Sequence, residues 1–417
     1  MASIDIVAVV LVVAALIGAV NDRWARVPAP IGMLLGSLVV VLLIAAADRV
    51  LHLHIMQPIR ARLAAADLPH VFLDWVLALL LFAGSLHVDL PALRQYRRII
   101  FVLATIGVVL SAAVFCFGLR ALLWLTGSGV GLAWCFVLGA ILAPTDAVVV
   151  ETLLGRANLP LSTRSAIVGE SLFNDGAGVV LFLVALRITE GSPAGHVLGH
   201  GRLAAAMAEQ LAGGAALGVL CGLVAGWSIR HVREDAIRII VSIALVVGCY
   251  RVAIAWQVSG PVAVVSAGLL LGRVLRSSAA ERQPIMEFWS LLERVLNLGL
   301  FLGIGMQVLA LVVTWRQVAI AAAAVPIALL ARMASVAVPL AVTGRTPRTV
   351  ARQTVVLTWA GMRGGISIAL ALTLPEFGYR TALLVICYAV VLFSIVVQGL
   401  TLPALLRRLY ADAPESR

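Results

Sequence analysis

The chain has no lysine at all, and charged residues of every kind make up only 12% of its 417 positions. Soluble domains carry about twice that share, because a chain folded in water needs a polar skin. Hydrophobic residues instead reach 62%, so an aqueous globular fold is excluded and lipid is the solvent that suits most of the surface. Cysteines are few as well. Cys116, Cys135, Cys221, Cys249 and Cys387 all fall in apolar stretches without CxxC spacing, which reads as buried unpaired thiols rather than disulfides or a metal centre. The net charge of +11 would suggest nucleic acid in a soluble protein. Here the arginines sit in short gaps between apolar runs, and no nucleic-acid partner is expected.

Thirteen apolar stretches are long enough to cross a bilayer: 3–20, 28–47, 71–87, 99–126, 129–154, 165–188, 203–229, 238–256, 258–275, 286–312, 317–342, 353–375 and 380–405. The fold class they predict is an all-α membrane protein forming one transmembrane domain over 1–417. The gaps around 48–70 and 189–202 are too small to fold alone. The first run has no basic residue before it and no small-residue cleavage site, so it reads as a retained span. Trp24, Trp75, Trp124, Trp227, Trp256 and Trp315 fall near predicted helix ends, where an aromatic belt forms. Arginines concentrate in the gaps after odd-numbered spans and in the tail. The positive-inside rule then puts the C-terminus in the cytoplasm and the N-terminus outside, in a multi-pass protein of the inner (plasma) membrane. Arg120, Arg294, Arg332 and Arg363 are different, since they lie within spans.

Two spans carry marks of interruption. The fifth contains Ala143-Pro144-Thr145-Asp146, and the twelfth contains Trp359-Ala360-Gly361-Met362-Arg363-Gly364-Gly365. If spans one to six repeat as eight to thirteen, both breaks occupy the fifth position of their half. An offset of seven spans turns the second copy upside down. Interrupted helices at matching places in an inverted repeat are the best sequence pointer to an ion site at the midplane.

The sixth span holds the densest polar set, Gly169-Glu170-Ser171-Leu172-Phe173-Asn174-Asp175-Gly176. On a helix Glu170 and Asn174 share one stripe, and Ser171 and Asp175 share the next. The two acids are about 140° apart, which suggests two roles rather than one chelating pair. A carboxylate in a wet, low-dielectric cavity attracts either a proton or a bare cation. Competition between them for one group is all that obligatory exchange requires, and Asp175 is the group chosen for it. The plainer alternative is that Asp175 only pairs with an arginine; intramembrane acids default to function.

Four segments carry a family resemblance: APTDAVVV (143–150), GESLFNDGAGVVLF (169–182), LLARMASV (329–336) and WAGMRGGISIALAL (359–372). In this order they resemble the NhaP-type bacterial sodium/proton antiporters and the related eukaryotic sodium/hydrogen exchangers, over nearly the whole chain. The resemblance implies that Asp175 is the transporting carboxylate and Asn174 the Asn of the family's Asn-Asp pair, a type that exchanges one cation for one proton. It implies a sodium site at Asp175, Thr145 and Ser171, with Asp146 balancing half-helix dipoles. It further implies a structural ion pair of Glu170 with Arg332, and an Arg363 that offsets the negative end of a half-helix. A homodimer is implied too, with a core around 71–188 and 286–375 moving against a scaffold of the remaining spans. There is no cofactor beyond the transported sodium ion and proton. Two departures stand out, Ala147 after Thr145-Asp146 and Ala83 in the third span where many relatives have Glu.

The expectation is thus an electroneutral sodium/proton antiporter, not an enzyme, serving pH and sodium homeostasis. Lithium or potassium is an alternative cation. An intramembrane enzyme using Glu170 and Asp175 would need a nucleophile-base pair or a metal motif, and a passive channel a repeated carbonyl filter; neither is visible. Glu293 and Arg294 read as structural support, Glu151 and Arg120 as snorkelling ends, and His231 as a solvated loop histidine. Gly213-Gly214 reads as a close helix contact.

Overall fold

The computed structural model describes residues 2–52, 75–88, 90–146, 150, 161–189, 200–276, 279–308, 313–342 and 346–410. Among them the only regular structure is helical. In chain order the helices are α1 (Ala2–Val20), α2 (Ala29–Leu51), α3 (Leu77–His87), α4 (Arg97–Leu125), α5 (Leu132–Ile141), α6 (Leu161–Thr189), α7 (His200–His231), α8 (Asp235–Ala255), α9 (Gly260–Leu275), α10 (Ala279–Gln307), α11 (Trp315–Ala341), α12a (Pro347–Ala360), α12b (Gly365–Leu372) and α13 (Arg380–Tyr410). A short helix, Leu90–Gln95, precedes α4. Nine of these helices are long and apolar enough to cross a membrane, and α12a with α12b forms a further span bent by 54°. The shorter apolar helices α3, α5 and α9 complete the expected order.

Local chemistry sets several boundaries. Thr314 caps α11 in a reciprocal box with Gln317, and Ser259 caps α9 ahead of Pro261. The twelfth span begins at Pro347 rather than 353, because a proline in the first turn gives up no hydrogen bond there. The fifth leaves helical geometry after Ile141, short of Pro144. Beyond Asp146 only Val150 is described before Leu161, so Ala147 and Glu151 lie outside the described residues.

Two apolar clusters organise the packing. One joins α4, α5, α6, α11, α12a, α12b and α13 with parts of α2 and the C-terminal half of α10. The other joins α3, α7, α8, α9 and the N-terminal half of α10 around Phe82 and Trp289, whose rings lie 4.7 Å apart. Within this packing α3 sits with α9, and α13 with α11. Backbone proximity explains the first of these. A Cβ added at Gly272 would lie 2.8 Å from the Leu86 carbonyl oxygen, and one at Gly268 would strike Ser85. Close approach also joins α7 to α9, where Gly214 and Gly218 face the carbonyls of Ser259 and Ala263. Gly213 faces Val258.

Helix α6 lies on the seam between the clusters. Its Ile167 and Leu181 belong to the first and its Leu172 to the second. The six tryptophans named above are all exposed at helix ends, while four of the five cysteines are buried and all five are free.

Candidate functional site

A chain break in lipid leaves backbone groups without helical partners, and no water is there to satisfy them. The two breaks solve this largely with each other. Arg363, from the α12 break, donates through Nη1 to the carbonyls of Ala143 (2.6 Å) and Pro144 (3.0 Å) at the end of α5. Its Nη2 lies 3.4 Å from Ser111 Oγ on α4. In return the Asp146 N–H donates to the Met362 carbonyl at 2.7 Å. Ser367 Oγ, in the first turn of α12b, donates to the Ile141 carbonyl at 2.8 Å. The negative end of α5 thus faces a buried guanidinium. The crossing is tight enough that Gly364 has no room for a side chain, since a Cβ there would lie 1.9 Å from Asp146 Oδ2.

Helix α6 clips onto the fifth-span break from the side. Asn174 Nδ2 donates to Thr145 Oγ1 at 2.7 Å, and the Thr145 N–H donates back to Asn174 Oδ1 at 3.3 Å. Ser171 Oγ donates to the Thr145 carbonyl at 2.6 Å. Gly178 leaves space for the Pro144 ring, whose Cγ would lie 2.1 Å from an added Cβ. Both ends of the Asn174 amide are therefore used on one residue. A carboxylate at 174 could accept but not donate.

Asp175 is arranged differently. Its side chain is buried and Oδ1 has no hydrogen-bond partner, one turn along from Ser171 and within electrostatic reach of Asp146. A bare, desolvated carboxylate oxygen is costly unless something binds it.

Glu170, on the other stripe of α6, is fully engaged. Both its oxygens accept from Arg332 on α11, through Nη1 and, at 2.8 Å, through Nη2. Arg332 Nη2 also donates to the Leu357 carbonyl at 3.2 Å, in the last turn of α12a. Gly361 leaves space for this arginine, because a Cβ there would lie 2.1 Å from Nε. One buried pair thus ties α6, α11 and the α12 break together.

Four residues of this arrangement were not singled out from sequence: Ser111, Ser367, Ser394 and Gln398. In a wide turn of α13 (Ser394–Gln398), Ser394 Oγ accepts from the Arg363 N–H at 2.9 Å and donates to Gln398. Gln398 Nε2 reaches the carbonyls of Thr358 and Trp359, each at 3.4 Å. Such wide turns recur at functional sites. The polar Gln398 in an apolar span was the signal available.

The remaining candidates lie elsewhere. Glu293 is partly buried, 4.0 Å from His87 Nδ1, while Arg294 is exposed. Arg120 is half-buried on α4. His231 is exposed and donates through Nδ1 to the Trp227 carbonyl at 2.8 Å. Ala83 is buried, and its carbonyl accepts from His87 Nδ1 at 2.7 Å.

Residues 8–408 match the family model described as "Sodium/hydrogen exchanger, transmembrane". The chain is 36% identical to the Na(+)/H(+) antiporter NhaP of Pseudomonas aeruginosa, covering 99% of this chain and 98% of that protein. It is 31% identical to the Na(+)/H(+) antiporter NhaH of Halobacillus dabanensis, covering 80% and 81%. Among solved structures, the sodium proton antiporter MjNhaP1 of Methanocaldococcus jannaschii superposes with a TM-score of 0.76, at 17% identity over 98% of this chain and 99% of that one.

Proposed function

Because the chain belongs to the sodium/hydrogen exchanger family, we propose that it exchanges sodium for protons across the inner membrane, one for one, by alternating access. One observation carries this reading: Asp175 presents a buried carboxylate oxygen with no hydrogen-bond partner, on the helix that lies at the seam between the two packing clusters.

In this reading Asp175 binds either a proton or a sodium ion, and the hydroxyls of Ser171 and Thr145 supply further oxygen ligands. Asn174 is a positioning residue that holds Thr145 in the break, and being neutral it carries no second proton. Glu170 and Arg332 hold α6 against α11, and Arg363 neutralises the α5 end. Loaded with either ion, the site has compensated charge and crosses; with neither, a bare carboxylate would have to move through low dielectric, which is disfavoured. Coupling follows from that difference. Asp146, next to the site, acts on its field. The family resemblance supports a homodimer and a role in pH and sodium homeostasis. The core, around 71–188 and 286–375, moves against a scaffold of the remaining spans.

The reading is tested in proteoliposomes with an acid interior and a pH-sensitive dye inside. Sodium added outside is expected to relieve the acidity, with lithium and potassium ranking below it. An imposed membrane potential is expected to leave the rate unchanged. Movement of one net charge per turnover would let 100 mV contribute about 2.3 kcal/mol, so a strongly voltage-driven rate would refute the one-for-one stoichiometry. Equal or faster exchange with potassium would make the protein a potassium/proton antiporter instead.

A further inference from the structure

Helices α4 and α11 touch closely at Gly107, where an added Cβ would lie 3.2 Å from the Ser335 carbonyl. Toward the start of α4 and the end of α11 they diverge and leave a cavity of about 880 Å³. Its rim is basic, with Arg94, Arg97 and Arg98, and its floor is apolar, with Val102, Ile106 and Val338. The three arginines are exposed, and none forms an ion pair or side-chain hydrogen bond with another described residue. Arg97 and Arg98 stand in the first turn of α4, whose dipole adds positive potential, and Arg94 lies in the last turn of the short helix before it. The floor is open to the membrane: Ile106 is 58% exposed and Val338 52%.

We propose that this groove is a binding site for an anionic phospholipid, with the phosphodiester headgroup held by Arg94, Arg97 and Arg98 and an acyl chain lying between α4 and α11. Charge complementarity selects the headgroup, since three unpaired guanidiniums on one rim call for phosphate oxygens. The apolar floor selects a lipid over a free anion. An inorganic phosphate would leave the trough uncovered, and an acidic peptide would bring polar backbone against Val102, Ile106 and Val338. The gaps on this side of the membrane are the arginine-rich ones, matching the anionic inner leaflet. The groove and the exchange site share α11. Ser335, at the point where the helices diverge, donates to the carbonyl of Arg332.

The test uses the full purified chain in neutral detergent, titrated with phosphatidylglycerol, phosphatidylcholine or inorganic phosphate, with binding read by native mass spectrometry. Phosphatidylglycerol is expected to bind tightly, phosphatidylcholine weakly, and phosphate at equal concentration not to compete. Each of R94Q, R97Q and R98Q is expected to weaken phosphatidylglycerol binding about fivefold, and the triple change more than about 100-fold. Arg→Lys at all three positions keeps the charge and is expected to retain most of the affinity. V338W fills the trough without touching charge; it is expected to lower affinity for the full-length lipid while sparing the acyl-free headgroup ester. The proposal is overturned if the triple Gln protein binds phosphatidylglycerol like the parent, if phosphatidylcholine binds equally, or if free phosphate displaces the lipid. Should the Gln protein fail to fold, V338W decides alone: unchanged lipid affinity there overturns the site.

Discussion

Asp175→Asn is expected to abolish sodium-dependent proton movement in proteoliposomes, down to the level of protein-free vesicles, while leaving the fold intact. The two side chains have nearly the same shape, so the packing around position 175 is conserved. What changes is charge. An amide neither accepts a proton in this pH range nor offers a cation a full negative charge, so neither half of the cycle can load. The fold is expected to survive because Asp175 Oδ1 makes no hydrogen bond that the substitution would break. Removing an uncompensated buried charge should leave thermal stability unchanged or raised. The paired measurement is flux and unfolding temperature on the same preparation. Flux that persists above background would transfer the transporting role to another residue, with Asp146, an acid within electrostatic reach, the first to examine.

Arg332→Ala makes the opposite expectation, a large loss of stability. Both members of the pair are buried, and Arg332 also holds a carbonyl in the last turn of α12a. Deleting one partner leaves the Glu170 carboxylate stranded between α6 and α11 in low dielectric. Such deletions cost about 3–5 kcal/mol, because the surviving charge keeps its desolvation penalty and loses its compensation. The double change Glu170→Gln with Arg332→Gln removes both charges and is expected to recover much of the loss. That non-additivity is the signature of direct coupling. Thermal unfolding in detergent of the parent, both single variants and the double variant gives the coupling energy. If Arg332→Ala unfolds within a degree or two of the parent, the pair is not the tie between α6, α11 and the α12 break.

Much of the architecture was legible because lipid imposes it. A membrane demands long apolar runs, so the order of the helices could be read directly, and exposed tryptophans fall at their ends. The breaks were legible for the same reason: Pro144 and the Gly361–Gly365 stretch cannot sit quietly in a continuous apolar helix. Which residues satisfy those breaks was far less visible. Ser394, Ser367 and Ser111 support them, yet Ser37 and Ser85 are also buried serines in apolar helices, and they only donate to carbonyls one turn back, Leu34 and Phe82, each at 2.8 Å. Nothing local separates the two kinds of serine. The pairing of Glu170 with Arg332 spans 162 positions of sequence and came from the family resemblance, because helix periodicity gives a direction for each side chain but not the helix it meets. Helix α3 packs on α9 because glycines let their backbones approach, a choice made by surface shape and not by chain order.

The central claim is that one carboxylate serves both ions, and pH decides between them. The direct measurement is the sodium concentration giving half-maximal exchange, determined in proteoliposomes across a series of pH values. Competition at Asp175 predicts that, on the acidic side, each unit fall in pH raises this concentration about tenfold while the maximal rate stays the same, by mass action at a shared site. A half-saturating concentration that does not move with pH would mean that proton and cation occupy separate sites, and the account would be contradicted.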